Sequence, residues 1–524
     1  MSQGRGVRRK GGDMAEKGKG GGGKKKQKTG GRGAPQRQVE YKFDPSFKLR
    51  EPKVERVEGA GDFHPVFFLR THSKNNDTAD VQTQIWQCSF EPDNSRAGGN
   101  TSIVATCGGS SVCFINVLDG EVVLKYNRST KTLPSLPSTA RATAGENLYA
   151  QVWSTLPLDD LGLKTMNVLA AAGARSTVLL IHPDAGICYQ MFRTVPNKAA
   201  AVICALLFHP KKATWLFCGH EDGQIQLWDI GTPTLPEYEV SQVHLLTIPP
   251  VARDVYNLAF SCTHDLLIGG CDGGLYAWKV DLKKIEAGES LERLEFVLPE
   301  VDGNGSVLDS ISMLRDDLLA AKCALHGQIY VFSVSKALSV AKLNKSRSQL
   351  QAEVKTEMMV RLRWSDTDNY YMNMGLDSRS CLLVCGDDKG ALWVYDLADL
   401  VTGRATSPLT GGAPIPMVEP VKILEWPELE DAEVEKARKL RLDTYDIVVD
   451  KCTVSYGAQH IVAVTSNNMV CIWRHGKEEE EEEEAAVKQE EAEKDKKKKK
   501  KKKKKEGEEE EKEEEGEGAG EEGK

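Results

Sequence analysis

The chain predicts an all-β fold, a seven-bladed β-propeller between two charged tails, and three observations carry that prediction. One stretch, Gly219 to Ile230 (GHEDGQIQLWDI), has the tight turn, alternating strand and Trp-Asp ending of a single blade. Looser copies of it recur six more times, and a short apolar strand precedes every copy. A supersecondary unit of about 40–50 residues repeated in this way is a radial array of four-stranded blades.

In order, the turn-and-strand copies begin at Gly108, Gly173, Gly219, Cys271, His326, Gly386 and Ser466. Their turns (Asp-Gly, Gly-Gly, Asn-Asn, Lys-Gly) supply residues that tolerate positive φ between paired strands. The apolar strands before them start at Ile103, Val168, Trp215, Leu266, Leu318, Cys381 and Ile461. An additional strand is expected upstream of each, as the outer strand of its blade: Trp86 to Phe90, Tyr149 to Trp153, Ile203 to Phe208, Tyr256 to Phe260, Leu308 to Ser312, Val360 to Trp364 and Asp450 to Val454. The last copy runs out at Trp473 with three strands, while Val66-Phe-Phe-Leu has no hairpin of its own. An N-terminal strand completing the last blade would cover both unpaired edges.

The blades occupy residues 62–475, leaving residues 1–61 as a basic Gly/Lys-rich tail and 476–524 as a Glu/Lys low-complexity tail, both expected to be disordered. Residues 1–40 carry +9 and residues 477–524 carry −7 against a chain total of −8, so the body between them is acidic at about −10. A phosphate-binding groove needs accumulated cationic surface, which places any non-specific DNA contact in the Lys-rich tails. Those Lys blocks also suit a nuclear import signal or a simple solubilising face.

Thirteen cysteines are scattered singly with no CxxC pair, as small buried residues of a reducing compartment. No apolar run approaches the length of a membrane span, and no secretory signal pattern opens the chain, so a cytosolic or nuclear protein without membrane partners is expected.

Enzyme motifs are missing from the sequence: there is no GxxxxGK[ST], no GxGxxG after a strand, no HExxH and no GxSxG, and no cofactor or metal is expected. His220, Trp228 and Asp229 are assigned to a structural blade network, with the His tying loop to strand through a hydroxyl and an Asp. The most specific binding feature open to such a platform is an aromatic cage, which holds a methylated ammonium by cation–π attraction. Trp86 and Tyr149 stand at equivalent positions of the first two blades and are the candidates for it, packing between blades being the alternative role.

The stretches His72-Ser-Lys-Asn-Asn, Gln84-Ile-Trp-Gln-Cys-Ser-Phe-Glu-Pro, Val104-Ala-Thr-Cys-Gly-Gly, Asn167-Val-Leu-Ala-Ala-Ala-Gly, Ile225-Gln-Leu-Trp-Asp-Ile-Gly, Leu383-Val-Cys-Gly-Asp-Asp and Ile423-Leu-Glu-Trp-Pro go beyond generic blade motifs. Together they resemble the WD-repeat half of the leucine-rich repeat and WD repeat-containing, or origin recognition complex-associated, family. The resemblance implies a nuclear, non-enzymatic scaffold. It would bind origin recognition complex subunits and other replication-licensing proteins, support replication initiation, and associate with heterochromatin bearing trimethylated histone lysines, at centromeric or telomeric regions among others. The family's N-terminal LxxLxLxxN repeats have no counterpart in residues 1–62.

A more distant resemblance is to the Polycomb WD-repeat subunit, a reader of trimethyl-lysine on histone tails within a methyltransferase assembly; it rests on Glu146-Asn-Leu-Tyr149. This resemblance places Trp86 and Tyr149 on two cage positions and sets the family's adjacent aromatic pair on about Val360-Arg361. Arg361 there would repel a trimethylammonium unless turned away, which leaves Trp364 as a candidate completing ring.

Overall fold

The computed structural model describes residues 49 and 51–476, apart from 75–76, 78, 97, 128–145, 160, 196–200, 300, 302–306, 344–350, 405–414 and 427–446. The expectations for both charged tails, import signal and DNA contact included, therefore fall largely or wholly outside the described residues. Seven small sheets form the predicted propeller. Blade one comprises Ile85–Pro92, Asn100–Gly108, Ser111–Asn116 and Val122–Asn127; blade two Leu148–Pro157, Thr165–Gly173, Thr177–His182 and Ile187–Arg193; blade three Ile203–His209, Lys212–His220, Ile225–Asp229 and Val243–Ile248. Blade four comprises Arg253–Ser261, Leu266–Asp272, Gly274–Lys279 and Arg293–Val297; blade five Leu308–Met313, Leu318–Cys323, Gln328–Ser333 and Met358–Arg363; blade six Gly375–Asp377, Leu382–Gly386, Leu392–Asp396 and Lys422–Leu424. Blade seven takes Val449–Val454, His460–Thr465 and Val470–His475 from the C-terminal part and Phe63–Leu69 from the N-terminal part.

The ring closes as the unpaired strands required. Phe63–Leu69 pairs antiparallel with Val470–His475, from Phe63 opposite His475 to Leu69 opposite Val470. All seven predicted hairpins form, and each turn holds one residue at positive φ: Gly109, Ser176, Gly223, Gly273, Gly327, Gly390 and Asn468. At Gly223 the requirement is doubled, since a Cβ would sit 1.8 Å from the Ala252 carbonyl oxygen.

Two expectations need correction. The strand upstream of each hairpin is the innermost of its blade, not the outer one, because the first strands of neighbouring blades pack side by side around the axis. The Val360 strand is the fourth strand of blade five, with the two-residue Met417–Val418 added in parallel outside it, and blade six instead starts with the three-residue Gly375–Asp377. An intervening helix, Val334–Leu343, and the strand Gln351–Lys355, which joins blade four in parallel, delay blade five's last strand and displace the repeat.

The core lies between blades rather than inside any one. Ile85, Val104 and Ile115 of blade one, for example, pack with Val462, Val464 and Ile472 of blade seven, all fully buried. Twelve of the thirteen cysteines are buried and all are free thiols. Among the described residues no helix is long and apolar enough to cross a membrane.

Candidate functional site

Six of the seven innermost strands slip in register against the next strand near their N-terminal ends. The residues left out of register there are Trp86, Tyr149, Cys204, Asp254 and Tyr256, Asp309, and Asp450. A bulge bends its strand and re-aims one side chain out of the ladder. Repeated around a ring, the device gathers side chains of different blades at one end of the channel. Trp86, Tyr149, Cys204, Asp254 and Tyr256 line a single cavity of about 250 Å³, together with Gln87, Val202, Glu221, Tyr371 and Asn373.

Four rings build most of its wall. The Trp86 and Tyr149 centroids are 5.2 Å apart with planes at 88°, Trp86 and Tyr371 6.1 Å at 79°, and Tyr371 and Tyr256 4.8 Å at 85°. Successive planes near a right angle make the sides of a box. Tyr370 stands at the rim, 47% exposed and 5.3 Å from Tyr371. The remaining lining comes from Val202 just before blade three, Cys204 on its first strand and Glu221 in its hairpin turn, together with Asp254 on blade four, Gln87 on blade one and Asn373 before blade six.

Tyr371 owes its place to a buried charge. Its backbone has φ +75°, a left-handed conformation that a bulky residue holds only when its surroundings enforce it. Its N–H donates to Asp309 Oδ2 at 2.9 Å, and the same oxygen receives Lys322 Nζ at 2.6 Å, both side chains being fully buried. The Lys322 ammonium also lies 4.3 Å from the Trp364 ring centroid. Burial pushes the Asp309 carboxyl up, and Lys322 opposes that push.

The cavity is electrically one-sided. Burial raises the Asp254 carboxyl, Arg253 opposes, and Asp272 and Glu221 raise it further. Glu221 Oε1 accepts from the Val202 N–H at 3.1 Å. Cys204 is pushed up to about 12, first by burial and then by Asp254, Glu221 and Asp222, so it is no thiolate nucleophile. Burial also lifts the Tyr256 and Tyr371 hydroxyls, which keeps both rings neutral with their π faces intact. Aromatic walls beside two carboxylates suit an organic cation. Among the described residues no group of His, Cys, Asp and Glu could hold a metal ion.

Of the predicted site residues, the structure brings Trp86 and Tyr149 together and leaves Arg361 and Trp364 outside the lining. Arg361 lies on the fourth strand of blade five, where its guanidinium donates to Gln328 Oε1 at 3.4 Å and the Ile415 carbonyl at 3.3 Å. Trp364 is buried, with Nε1 donating to the Gly386 carbonyl at 3.2 Å. The position set on Val360-Arg361 by the more distant resemblance is away from the cavity, whose wall instead includes Tyr371, with Tyr370 next to it in sequence. Tyr256, Tyr370, Tyr371, Glu221 and Asp254 were not singled out from sequence; the Tyr-Tyr pair was the one local signal available.

The blade-three network also differs from expectation. His220 is buried, with Nε2 2.9 Å from Thr194 Oγ1 and Nδ1 3.3 Å from the Gln224 carbonyl, and burial lowers its pKa. Asp229 sits at the far end of its strand and accepts from the Gly231 N–H at 3.0 Å; Trp228 donates to Gln226 Oε1 at 3.0 Å. The three do not share one network, because the register places Gly219 opposite Ile225 but Trp215 opposite Asp229. Blade one holds a fuller version: His72 Nδ1 is 2.9 Å from Ser111 Oγ and Nε2 2.8 Å from Thr106 Oγ1.

Seven blades, one of them ending in Trp228-Asp229, and a lined channel mouth define a WD-repeat propeller, a class that generally serves as scaffold or adaptor. Residues 57–476 match the WD domain of leucine-rich repeat and WD repeat-containing protein 1, and the chain belongs to that family. It is 32% identical over 485 residues to the leucine-rich repeat and WD repeat-containing protein 1 of Xenopus tropicalis, covering 86% of this chain and 64% of that protein. The Homo sapiens protein of the same name is 32% identical over 436 residues, 82% of this chain and 61% of its own length; the Mus musculus protein is 32% identical over 427 residues, 80% and 59%. The chain thus spans less than two thirds of the length of these relatives.

Proposed function

We propose that this chain is a non-enzymatic, nuclear WD-repeat scaffold whose channel mouth reads a methylated lysine of a histone tail while the propeller holds origin recognition complex subunits on chromatin. The observation that carries the reading is the box of Trp86, Tyr149, Tyr371 and Tyr256, closed by Glu221 and Asp254. Ring faces attract a methylammonium that has lost part of its hydration, and more strongly as water is excluded. An acidic body of about −10 favours basic histone tails over nucleic acid. The origin-complex half rests on the residue stretches shared with the origin recognition complex-associated family and on the family match across residues 57–476.

Two measurements test it. Methylated-lysine histone peptides titrated against the full chain and Trp86→Ala should bind the former only. Immunoprecipitation of the tagged full chain from nuclear extract should bring down origin recognition complex subunits. Recovery of methyltransferase subunits in their place would favour the Polycomb-like alternative, and recovery of neither would leave a general adaptor.

A further inference from the structure

Beneath the mouth lies a second cavity of about 340 Å³, which shares Gln87, Cys204 and Tyr256 with the first. We propose that it binds a small monocarboxylate with a short apolar body, the carboxylate being held by Lys451. Such a site stands whatever the mouth binds. The register slips that put Trp86, Tyr149, Cys204, Tyr256 and Asp450 out of the ladder return the next residues to it: Gln87, Ala150, Ala205, Asn257 and Lys451. These five come from five blades, and all line the second cavity. The chemistry one layer down therefore differs from that of the mouth, with two small side chains, two amides and an ammonium in place of rings and acids. Among the described residues Lys451 is the one charged group of this lining.

Lys451 is a cation without a counter-charge in its wall. Its Nζ donates to the Met374 carbonyl, at the entry to blade six, at 2.7 Å. An ammonium has three N–H donors, so this bond leaves two. The side chains acting on it electrostatically are the thiols of Cys88, Cys452 and Cys385, not carboxylates. Burial raises all three thiols, which keeps them neutral. An ammonium withdrawn from water is costly until an anion pairs with it, and a carboxylate supplies both the charge and the acceptors. Gln87, on neighbouring blade one and in the same layer, adds an amide donor.

The same layer says which anion fits. One ammonium balances one negative charge, and a dianion would leave an excess beneath Glu221 and Asp254 of the mouth. Ala150 and Ala205 leave room beside the charge, and Val152, Trp153 and Leu206 offer apolar surface to the rest of the ligand.

Acetate, butyrate, butyramide and inorganic phosphate are titrated against the full chain at fixed ionic strength, with binding read by ligand NMR. Butyrate should bind saturably and about tenfold tighter than acetate, the scale of two further buried methylenes. Butyramide, of the same shape without the charge, should bind at least about tenfold more weakly than butyrate, and so should phosphate. Lys451→Met, similar in length and uncharged, should weaken butyrate by at least about tenfold. Because it removes an uncompensated buried charge, the unliganded variant should melt no lower than the wild type, which separates lost binding from lost fold. An absence of saturable butyrate binding, or an affinity unchanged in Lys451→Met, overturns the site. Butyramide binding as well as butyrate overturns the role of the charge even if the variant proves unstable, and phosphate binding more tightly than butyrate overturns the choice of a monocarboxylate.

Discussion

Blade three and the channel mouth are built in opposite ways. Blade three is one consecutive stretch of chain whose polar groups are satisfied within it or by the segment leading into it: His220 by Gln224 and by Thr194 just after blade two, Asp229 by Gly231, Trp228 by Gln226. The mouth draws its side chains from strands and loops of five blades, and one of its walls is held by a buried ion pair. Local repetition makes a stable blade, whereas a site arises where the same small irregularity, a bulge, recurs in different blades with different side chains. Blade residues should therefore govern stability without binding, and mouth residues binding with little effect on stability; Lys322 should link the two.

The largest effect is expected at that link. Lys322→Met strands a buried Asp309 carboxylate and should cost about 3–5 kcal/mol in urea unfolding, while also weakening methyl-lysine probes through Tyr371. Asp309→Leu added to it should restore much of the stability but not the binding. Stability recovered together with binding would break the proposed connection.

Acid comes next. Burial holds His72, the blade-one counterpart of His220, at about 3 against an ordinary 6.5. The unfolded chain binds this proton first, so the stability is whole above pH 6.5 and drains as pH falls toward 3, by up to about 1.4 kcal/mol per pH unit. His72→Gln should flatten that slope across the same window, and an identical slope in the two proteins would contradict a buried neutral ring.

Trp228 packs 5.1 Å from Phe192 and 5.0 Å from His244, and Trp228→Ala should cost about 2 kcal/mol of stability with probe affinity unchanged. Trp86→Ala should do the reverse, losing about 1–2 kcal/mol of affinity while the melting temperature stays nearly fixed. If both variants shift both quantities alike, the division between blade and mouth fails. Tyr370→Ala, at the exposed rim, should change affinity by less than about 0.5 kcal/mol.

The architecture was legible because hairpin chemistry is local: an Asp-Gly such as Asp222-Gly223 announces its turn whatever surrounds it. Ring closure was legible too, since Val66-Phe-Phe-Leu lacked a partner and the last blade lacked a strand. The inner position of the first strands was not, because an apolar alternation does not say which edge of a blade faces the axis. Blade six was misplaced for a related reason: Gly375–Asp377 is too short to show a period, and Val360–Arg363 shows a clear one that belongs to the blade before. Two of the four rings of the cavity wall, Trp86 and Tyr149, were readable. Tyr371 was not, as its location depends on a loop conformation imposed by Asp309 and Lys322, residues far from it in sequence and unremarkable in type.

The pairing of Phe63 with His475 makes the two ends of the propeller a single attachment point on blade seven, one strand spacing apart. Any module joined before Phe63 and any module joined after His475 would be tethered to the same spot on the rim. Two weak binding segments linked there would search overlapping volumes and raise each other's effective concentration. Closing the ring thus does more than remove an exposed edge: it sets the first and last strands of the propeller side by side on blade seven.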